Sequence, residues 1–287
     1  MTGIIDIGSN TIRLVIYKEK ERIANFCEYS NILADTVGGE LTDCGIERLC
    51  DILFSLRSEI MEYKCGVFAF ATSAFRDLKN QDKVKQKVFE ETGLCIDVLS
   101  GEREAEYDLA ALLETFEGDE TGIGVDLGGG SCQIFAFERE KAVFSLSLPI
   151  GCKRIKRAFC KTPVPEKKER KKIEECIKRS LSQLPKYDKD RFKKLYMMGG
   201  TIKTAENLYE FLYGTEIRHE LTTGQLEKLL NDIEEGGKEM MEGILKKRYE
   251  TIAVGLIISN EIAKFVGTDI INIKKCCVRD GYLAKLK

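Results

Sequence analysis

Tryptophan is absent from the 287 residues, and histidine occurs once, at His219. A Ser-His-Asp triad would hang on that one side chain, and a zinc site built from several histidines is excluded. His219 reads as a plain surface or strand-edge residue. The eleven cysteines contain no C-x-x-C pair, and only Cys276 and Cys277 are adjacent. An odd, scattered set in a chain this long is unlike a secreted disulfide framework; the thiols read as reduced and mostly buried. A charge excess is also missing. Lys and Arg number 45 against 47 Asp and Glu, a net of −2, which removes bulk basicity as a reason to expect DNA binding. No apolar run approaches the roughly 18 residues of a membrane span. The start, MTGIIDIGSN, lacks the regions of a signal peptide. The expectation is a cytoplasmic protein with no membrane association. Any catalysis must fall to carboxylates, backbone amides, lysine and arginine.

What is present is a globular composition, 43% hydrophobic and 32% charged, in a length that suits two domains. The chain also repeats itself. GIIDIGSNTIRLVIY (Gly3 to Tyr17) and GIGVDLGGGSCQIFAF (Gly122 to Phe137) align at an offset of 120, with Asp6 on Asp126 and Gly8 on Gly128. Each copy continues with a third strand, helical segments, a late strand, a small-residue turn and another helix. A period this long indicates domain duplication, not a solenoid. The expected domains are 1–118 and 119–287, joined near Glu117-Gly118-Asp119, with the last helix free to pack back on the first domain.

Periodicity gives the elements. Ile4–Asp6, Ile12–Tyr17 and Ile23–Tyr29 read as an antiparallel meander. Thr42 or Asp43 caps a helix to Tyr63, Asn80 caps one to Thr92 that Gly93 ends, and Ser100 caps one carrying Ala105, Leu109 and Leu112. Strands are expected at Val67–Ala71 and Ile96–Leu99. The second half repeats the scheme, with helices near 165–183, 202–211, 223–234 and 252–265. Strands mixed with crossover helices imply α/β domains with mixed sheets.

The chemistry concentrates in the turns. Asp126-Leu127-Gly128-Gly129-Gly130-Ser131 joins two strands, and three glycines exceed what a hairpin needs. They let backbone amides close on a ligand, as in phosphate-binding nests. Asp126, at the strand end, suits Mg²⁺ shared with phosphates. Asp6-Ile7-Gly8-Ser9-Asn10-Thr11 fills the equivalent turn, with hydroxyl and amide donors and Arg13 nearby. Gly199-Gly200-Thr201 ends a strand and opens a helix, a second anion-binding arrangement.

The segments DIGSNTIRL, ATSAFRD, SGEREAE, DLGGGS, SLPIGCKR and MMGGT occur in that order, followed by VRDGYL. Together they resemble the Ppx/GppA phosphatase family of exopolyphosphatases and guanosine pentaphosphate phosphohydrolases, over Ile5 to Leu283. The resemblance implies an α/β fold of duplicated RNase H-like domains of the actin-like ATPase superfold, with an inter-domain cleft. It resembles the short members without the additional C-terminal helical domain. It implies Glu104 as the general base for water and Arg76 as a catalytic phosphate-contacting guanidinium. It implies Ser9, Asn10, Thr11, Arg13, Gly128, Gly129, Gly130, Ser131, Gly200 and Thr201 as phosphate contacts, and Asp6 and Asp126 as ligands of Mg²⁺ or Mn²⁺, with no organic cofactor. The substrate would be inorganic polyphosphate or a guanosine polyphosphate, with no DNA partner and homodimerisation left open.

One position departs from the family. The pattern DxGGGSxE places Glu, which in the family would join the metal site or position water, where this chain has Gln133; glutamine keeps the length and hydrogen bonding of the side chain but removes its charge, which puts Gln133 in doubt as a metal ligand. A catalytically impaired polyphosphate- or nucleotide-binding regulator is therefore the rival to the exopolyphosphatase reading. A sugar-kinase-like activity of the same superfold is disfavoured by the SGEREA segment. Finally, Lys153 to Lys194 holds 17 Lys and Arg against 6 Asp and Glu. Such a segment can concentrate a polyanion locally, or can simply be a solvated helix face.

Overall fold

β-branched and aromatic residues alternate through the first thirty residues, and they pair as strands β1 (Thr2–Ile7), β2 (Thr11–Lys18) and β3 (Glu21–Tyr29) in an antiparallel meander. The structure, a computed structural model, describes residues 1–9, 11–236 and 238–286. The chain divides into two units, each described on its own: residues 1–104 with the chain from Tyr282 onward, and residues 105–281.

In unit 1 a small hairpin, β4 (Thr36–Val37) and β5 (Glu40–Leu41), leads into α1 (Asp43–Tyr63). The Thr42 side chain caps that helix, accepting from Gly45 N–H at 3.2 Å. Then come β6 (Gly66–Ala71), the single turn α2 (Ser73–Arg76), α3 (Gln81–Thr92), β7 (Ile96–Val98) and the start of α4 (Gly101–Leu113). The sheet runs β3-β2-β1-β6-β7, with β1, β6 and β7 parallel. Ile5, Ile7, Leu14 and Ile16 pack against Ile46, Leu49 and Leu53 of α1 and Val84 and Val88 of α3. Gly93, with φ +72°, ends α3. Asn80 stands before α3 but does not cap it. Its backbone is not extended there (ψ 30°), and its side chain instead bonds both the N–H and the C=O of Leu41, at 3.0 and 2.9 Å.

Unit 2 repeats the plan with β8 (Thr121–Leu127), β9 (Cys132–Glu138), β10 (Lys141–Leu148), α5 (Cys152–Phe159), α6 (Lys167–Leu181), β11 (Leu195–Met198) and α7 (Gly200–Tyr213). It continues with β12 (Glu220–Thr222), α8 (Thr223–Glu235), α9 (Lys238–Leu245), a 3-10 turn at Lys246–Arg248, α10 (Tyr249–Val266), β13 (Ile270–Ile273) and α11 (Val278–Lys285). The sheet runs β10-β9-β8-β11-β13-β12, so its first five strands reproduce the order of the other sheet. Helix α10 has fourteen of its eighteen residues buried and packs against α5, α6, α7 and α8, which marks it as the central helix of this core.

The division between the two compact units falls inside α4, after Glu104. The reason is packing: Ala105, Leu109 and Leu112 join Phe135, Phe137, Tyr196 and Met198 in one apolar cluster. Tyr282 belongs to unit 1, where its ring packs on Phe70 with centroids 4.8 Å apart. No helix of the described residues is long and apolar enough to cross a membrane.

Candidate active site

The parallel strands of each sheet end on the turns singled out by the sequence, and carboxyl ends of parallel strands are where α/β sheets receive ligands. In unit 1, Ile7, Ala71 and Val98 lie side by side in register on β1, β6 and β7. The Asp6–Thr11 turn, the Thr72–Arg76 turn and the start of α4 therefore leave one edge of the sheet together. The first turn closes with Gly8 N–H donating to Thr11 C=O at 3.0 Å. Ser9 is buried, with its hydroxyl 3.4 Å from that of Ser73. Asp6 lies opposite Arg13 in the β1–β2 register, and Arg13 donates to Asn25 Oδ1 at 3.0 Å. Asn10 lies outside the described residues.

Glu104 is 6% exposed although it is charged and lies in the first turn of a helix. The Ser100 hydroxyl caps that turn, accepting from Arg103 N–H at 3.2 Å. Arg76 Nη1 donates to Glu104 Oε2 at 3.1 Å and to Leu99 C=O at 2.6 Å. The two residues that the resemblance marks as catalytic are thus in direct contact. A guanidinium held on the strand-end carbonyl fixes the carboxylate that it also neutralises.

In unit 2 the equivalent turn closes the same way, with Gly128 N–H donating to Ser131 C=O at 3.0 Å. Helix α5, which the periodicity misses, seats it. Cys152 N–H donates to Gly128 C=O at 3.0 Å, Lys153 N–H to Gly129 C=O at 2.9 Å, and Arg154 Nε to Gly130 C=O at 2.8 Å. The fit is tight: a Cβ on Gly151 would lie 2.4 Å from Gly130 C and 2.5 Å from Gly129 C. Asp126 reaches across to the start of α7, where a Cβ on Gly199 would meet its Oδ1 at 2.6 Å. Gly199 also has φ +100°, which disfavours any side chain there. Thr201 is buried with its hydroxyl 3.4 Å from Cys152 Sγ. The structure therefore gathers Asp126, Gly128, Gly129, Gly130, Ser131, Gly200 and Thr201 within one unit.

Gln133 lies opposite Asp126, at the position Arg13 takes opposite Asp6. It is 1% exposed, and its Nε2 donates to the Ser131 and Ser147 hydroxyls, each at 3.0 Å. The amide nitrogen thus braces the turn from below, a donor role that a glutamate cannot fill.

Three site residues escape the sequence reading. Arg248 lies 47 positions beyond Thr201 with no local signal, yet a Cβ on Gly200 would fall 2.2 Å from its Nη2, so its guanidinium covers that glycine. Lys153 is half-buried against it; burial first, then Arg248 and Lys156, pushes its pKa below the usual lysine value. Ser73, buried beside Ser9, sits inside the ATSAFRD segment and was legible as a small polar residue at a strand end. His219 is exposed, as expected, and its Nδ1 lies 2.5 Å from the buried Glu206 carboxylate.

A family model described as the Ppx/GppA phosphatase family matches residues 10–287. The chain belongs to the Ppx/GppA phosphatase family. It is 30% identical to the bifunctional 3-dehydroquinate synthase/phosphatase of Fusobacterium nucleatum over 94% of this chain, but spans only 44% of that protein's length. It is 24% identical to exopolyphosphatase 1 of Mycobacterium tuberculosis, over 99% of this chain and 87% of that one. Among solved structures, the Aquifex aeolicus member of the Ppx/GppA family superposes with a TM-score of 0.80 at 26% identity, covering 99% of this chain and 97% of that one. A Cytophaga hutchinsonii exopolyphosphatase shares the fold, with a TM-score of 0.88 at 20% identity over 99% of this chain and 97% of that one. The fold is accordingly the duplicated RNase H-like arrangement of the actin-like ATPase superfold, as the matching strand orders require.

No group of three or more His, Cys, Asp or Glu side chains gathers to hold a metal ion among the described residues. Each unit instead has one carboxylate at the end of its first strand, Asp6 and Asp126. Within either unit, a single carboxylate beside a phosphate-binding turn is of the donor type Mg²⁺ accepts, since that ion keeps several waters and shares one or two carboxylates with substrate phosphates.

Proposed function

We propose that this Ppx/GppA chain is an exopolyphosphatase, removing the terminal phosphate of inorganic polyphosphate by attack of water. The observation that carries this reading is the buried Glu104 carboxylate in the grip of Arg76, at the sheet edge that also presents the Asp6 turn. Glu104 orients the water and takes its proton as the water oxygen bonds to the terminal phosphorus. The anhydride bond to the next phosphate breaks, and the shortened chain leaves as an anion. In unit 1, Arg76 and Arg13 are the cations at that sheet edge able to offset charge on the phosphoryl oxygens; unit 2 has a phosphate-binding set of its own in the Gly129, Gly130 and Ser131 amides, Thr201, Lys153 and Arg248. Positioning and electrostatics supply most of the rate in such transfers. Asp6 in unit 1 and Asp126 in unit 2 are each a carboxylate that would hold Mg²⁺ or Mn²⁺, which when bound would supply further neutralisation of phosphate charge. The likeness to the Mycobacterium exopolyphosphatase supports the substrate class, and the likeness to the Fusobacterium phosphatase supports the reaction class.

A second reading rests on Gln133. With an amide opposite Asp126 and its nitrogen committed to Ser131 and Ser147, the chain would bind polyphosphate or a guanosine polyphosphate as a regulator without turning it over. Phosphate release with Mg²⁺ from short polyphosphate, long polyphosphate and guanosine pentaphosphate, in parallel with Glu104→Gln, separates the readings. The expected result is release from polyphosphate that falls by roughly two to four orders of magnitude in the variant while binding persists. Release from guanosine pentaphosphate alone moves the substrate to the nucleotide, and binding without any release favours the regulator.

A further inference from the structure

The outer face of α6 carries charge that neither the fold nor the site just described uses. Ile173, Ile177 and Leu181 bury one side of the helix, and Lys167, Lys168, Lys171, Lys172, Lys178 and Arg179 stand exposed on the other. Of these, Lys178 leans on the buried Glu261 at 3.4 Å. Within α6 the one exposed carboxylate is Glu175. The cation with the main structural task is a different one: Arg170, partly buried, bonds Glu174 and Glu227. The exposed lysines work against the helix. Lys167 and Lys171, and Lys168 and Lys172, are like charges four residues apart. Several of these cations also crowd the first turns, where the helix dipole disfavours positive charge. The end itself is already satisfied by a capping box of Glu166 and Glu169. A solvated face chosen for stability would intersperse the signs; this one concentrates a single sign at the end where it is least favourable, a local conflict typical of functional surfaces.

Along the chain, α6 follows directly from the helix that sits on the phosphate-binding turn of the same unit. Helix α5 starts on the glycines, carries Lys153, Arg154, Lys156 and Arg157, and hands the chain to α6, where Lys161 N–H donates to Glu169 Oε1 at 3.3 Å. Both helices pack on α10. Lys156 is answered by Glu250 at 2.6 Å, whereas the exposed lysines of the first turns of α6 face solvent. At about 1.5 Å per residue the stripe from Lys167 to Arg179 is about 18 Å long, more than a two- or three-phosphate group spans.

We propose that the outer face of α6 is a track for the distal phosphates of a long inorganic polyphosphate, continuing the unit 2 phosphate site and favouring long chains over short ones. This rests on the polyphosphatase reading above. The occupant is polyphosphate by chemistry. The stripe has no aromatic side chain on which a nucleic acid base would stack. It also has no exposed apolar anchor of the kind protein partners use.

The test neutralises the stripe in the full-length protein with Lys167→Gln, Lys168→Gln, Lys171→Gln and Lys172→Gln combined. All four side chains are exposed, and an unchanged melting curve confirms folding. KM for long polyphosphate should rise roughly ten- to hundredfold, with kcat and the KM for tripolyphosphate unchanged, since four exposed charges that would each pair with a phosphate are removed at once. The salt dependence of the long-chain KM should flatten at the same time. An equal KM for long chains in the two proteins overturns the track, and so does an equal loss of affinity for long and short chains. If the unaltered protein hydrolyses no polyphosphate, the polyphosphatase reading falls, and direct binding of long polyphosphate still decides the track. Weaker retention by the fourfold variant supports it; equal retention, or displacement of bound polyphosphate by duplex DNA at matched charge, overturns it.

Discussion

Single residues decide the electrostatics of the candidate site in each unit. In unit 1, Arg76 serves a backbone carbonyl and Glu104 together, so the carboxylate is buried without being abandoned. In unit 2, Lys153 is pressed between the protein interior and two other cations, and its pKa falls because nothing there favours the charged form except Glu250. An arriving polyanion reverses that balance. We expect binding of tripolyphosphate to draw protons onto the protein on the alkaline side. Affinity should weaken as pH rises through the folded pKa of Lys153, which lies below the usual value of about 10.4. Calorimetry in two buffers of different ionisation enthalpy reads the uptake, and Lys153→Gln should abolish it. Binding with no proton exchange in the unaltered protein would remove Lys153 from the phosphate site. Gln133 illustrates the opposite economy: a neutral side chain, fully buried, whose two donated hydrogen bonds set the hydroxyls of Ser131 and Ser147.

At the scale of elements, seating matters more than propensity. Helix α5 is only eight residues long, with four cations among them, and its helical spacing of Cys152, Ile155 and Phe159 spans only two turns, too short a run to stand out in the sequence. It exists because its first amides find acceptors on the glycine turn and Cys152 and Ile155 are buried. That seat has no room for a methyl group. Gly151→Ala should destabilise the protein by about 1–3 kcal/mol as the helix and the turn are forced apart, and lower kcat although it removes no functional group. Urea denaturation and steady-state kinetics measure the two effects, and an unchanged midpoint with unchanged kcat would show that the turn moves freely. The longer elements were legible because burial imposed its period on them. Helix α1 runs from its Thr42 cap to Tyr63, as its apolar spacing predicts. Asn80 fails as a predicted cap because a side chain near two partners takes the better placed one, here the backbone of Leu41. Short strands such as β12, at the sheet edge, and its neighbour β13 carry too few residues for a pattern to show.

Across the whole molecule, burial sorts the eleven thiols. Cys44 and Cys95 are exposed, whereas Cys50, Cys132, Cys152, Cys276 and Cys277 are buried. Burial pushes the Cys50 and Cys152 thiols up to about 11, and raises Cys132 and Cys276 further. Nucleophilic reactivity follows the thiolate, so these groups are inert at neutral pH. Titration of the native protein with a thiol reagent should show Cys44 and Cys95 reacting fastest, lost in Cys44→Ser and Cys95→Ser, the half-buried Cys27, Cys65, Cys160 and Cys176 more slowly, and the buried five only on unfolding. Fast modification of Cys132 or Cys152, next to the phosphate turn, would contradict the packing described for unit 2.

By itself the sequence determined the duplication, the order of the strands, the turns that carry Asp6, Asp126 and the glycines, and the family. Those follow from local rules, since alternation, glycine and capping residues act over a few positions. The tertiary structure decided what depends on contacts between distant positions. It brought Arg76 onto Glu104 across 28 residues, laid Arg248 over Gly200, placed the unit boundary inside α4, and gave the Gln133 amide two hydroxyl partners. No periodicity encodes such pairings, because they are chosen by which side chains the packed sheet and helices leave within hydrogen-bonding reach.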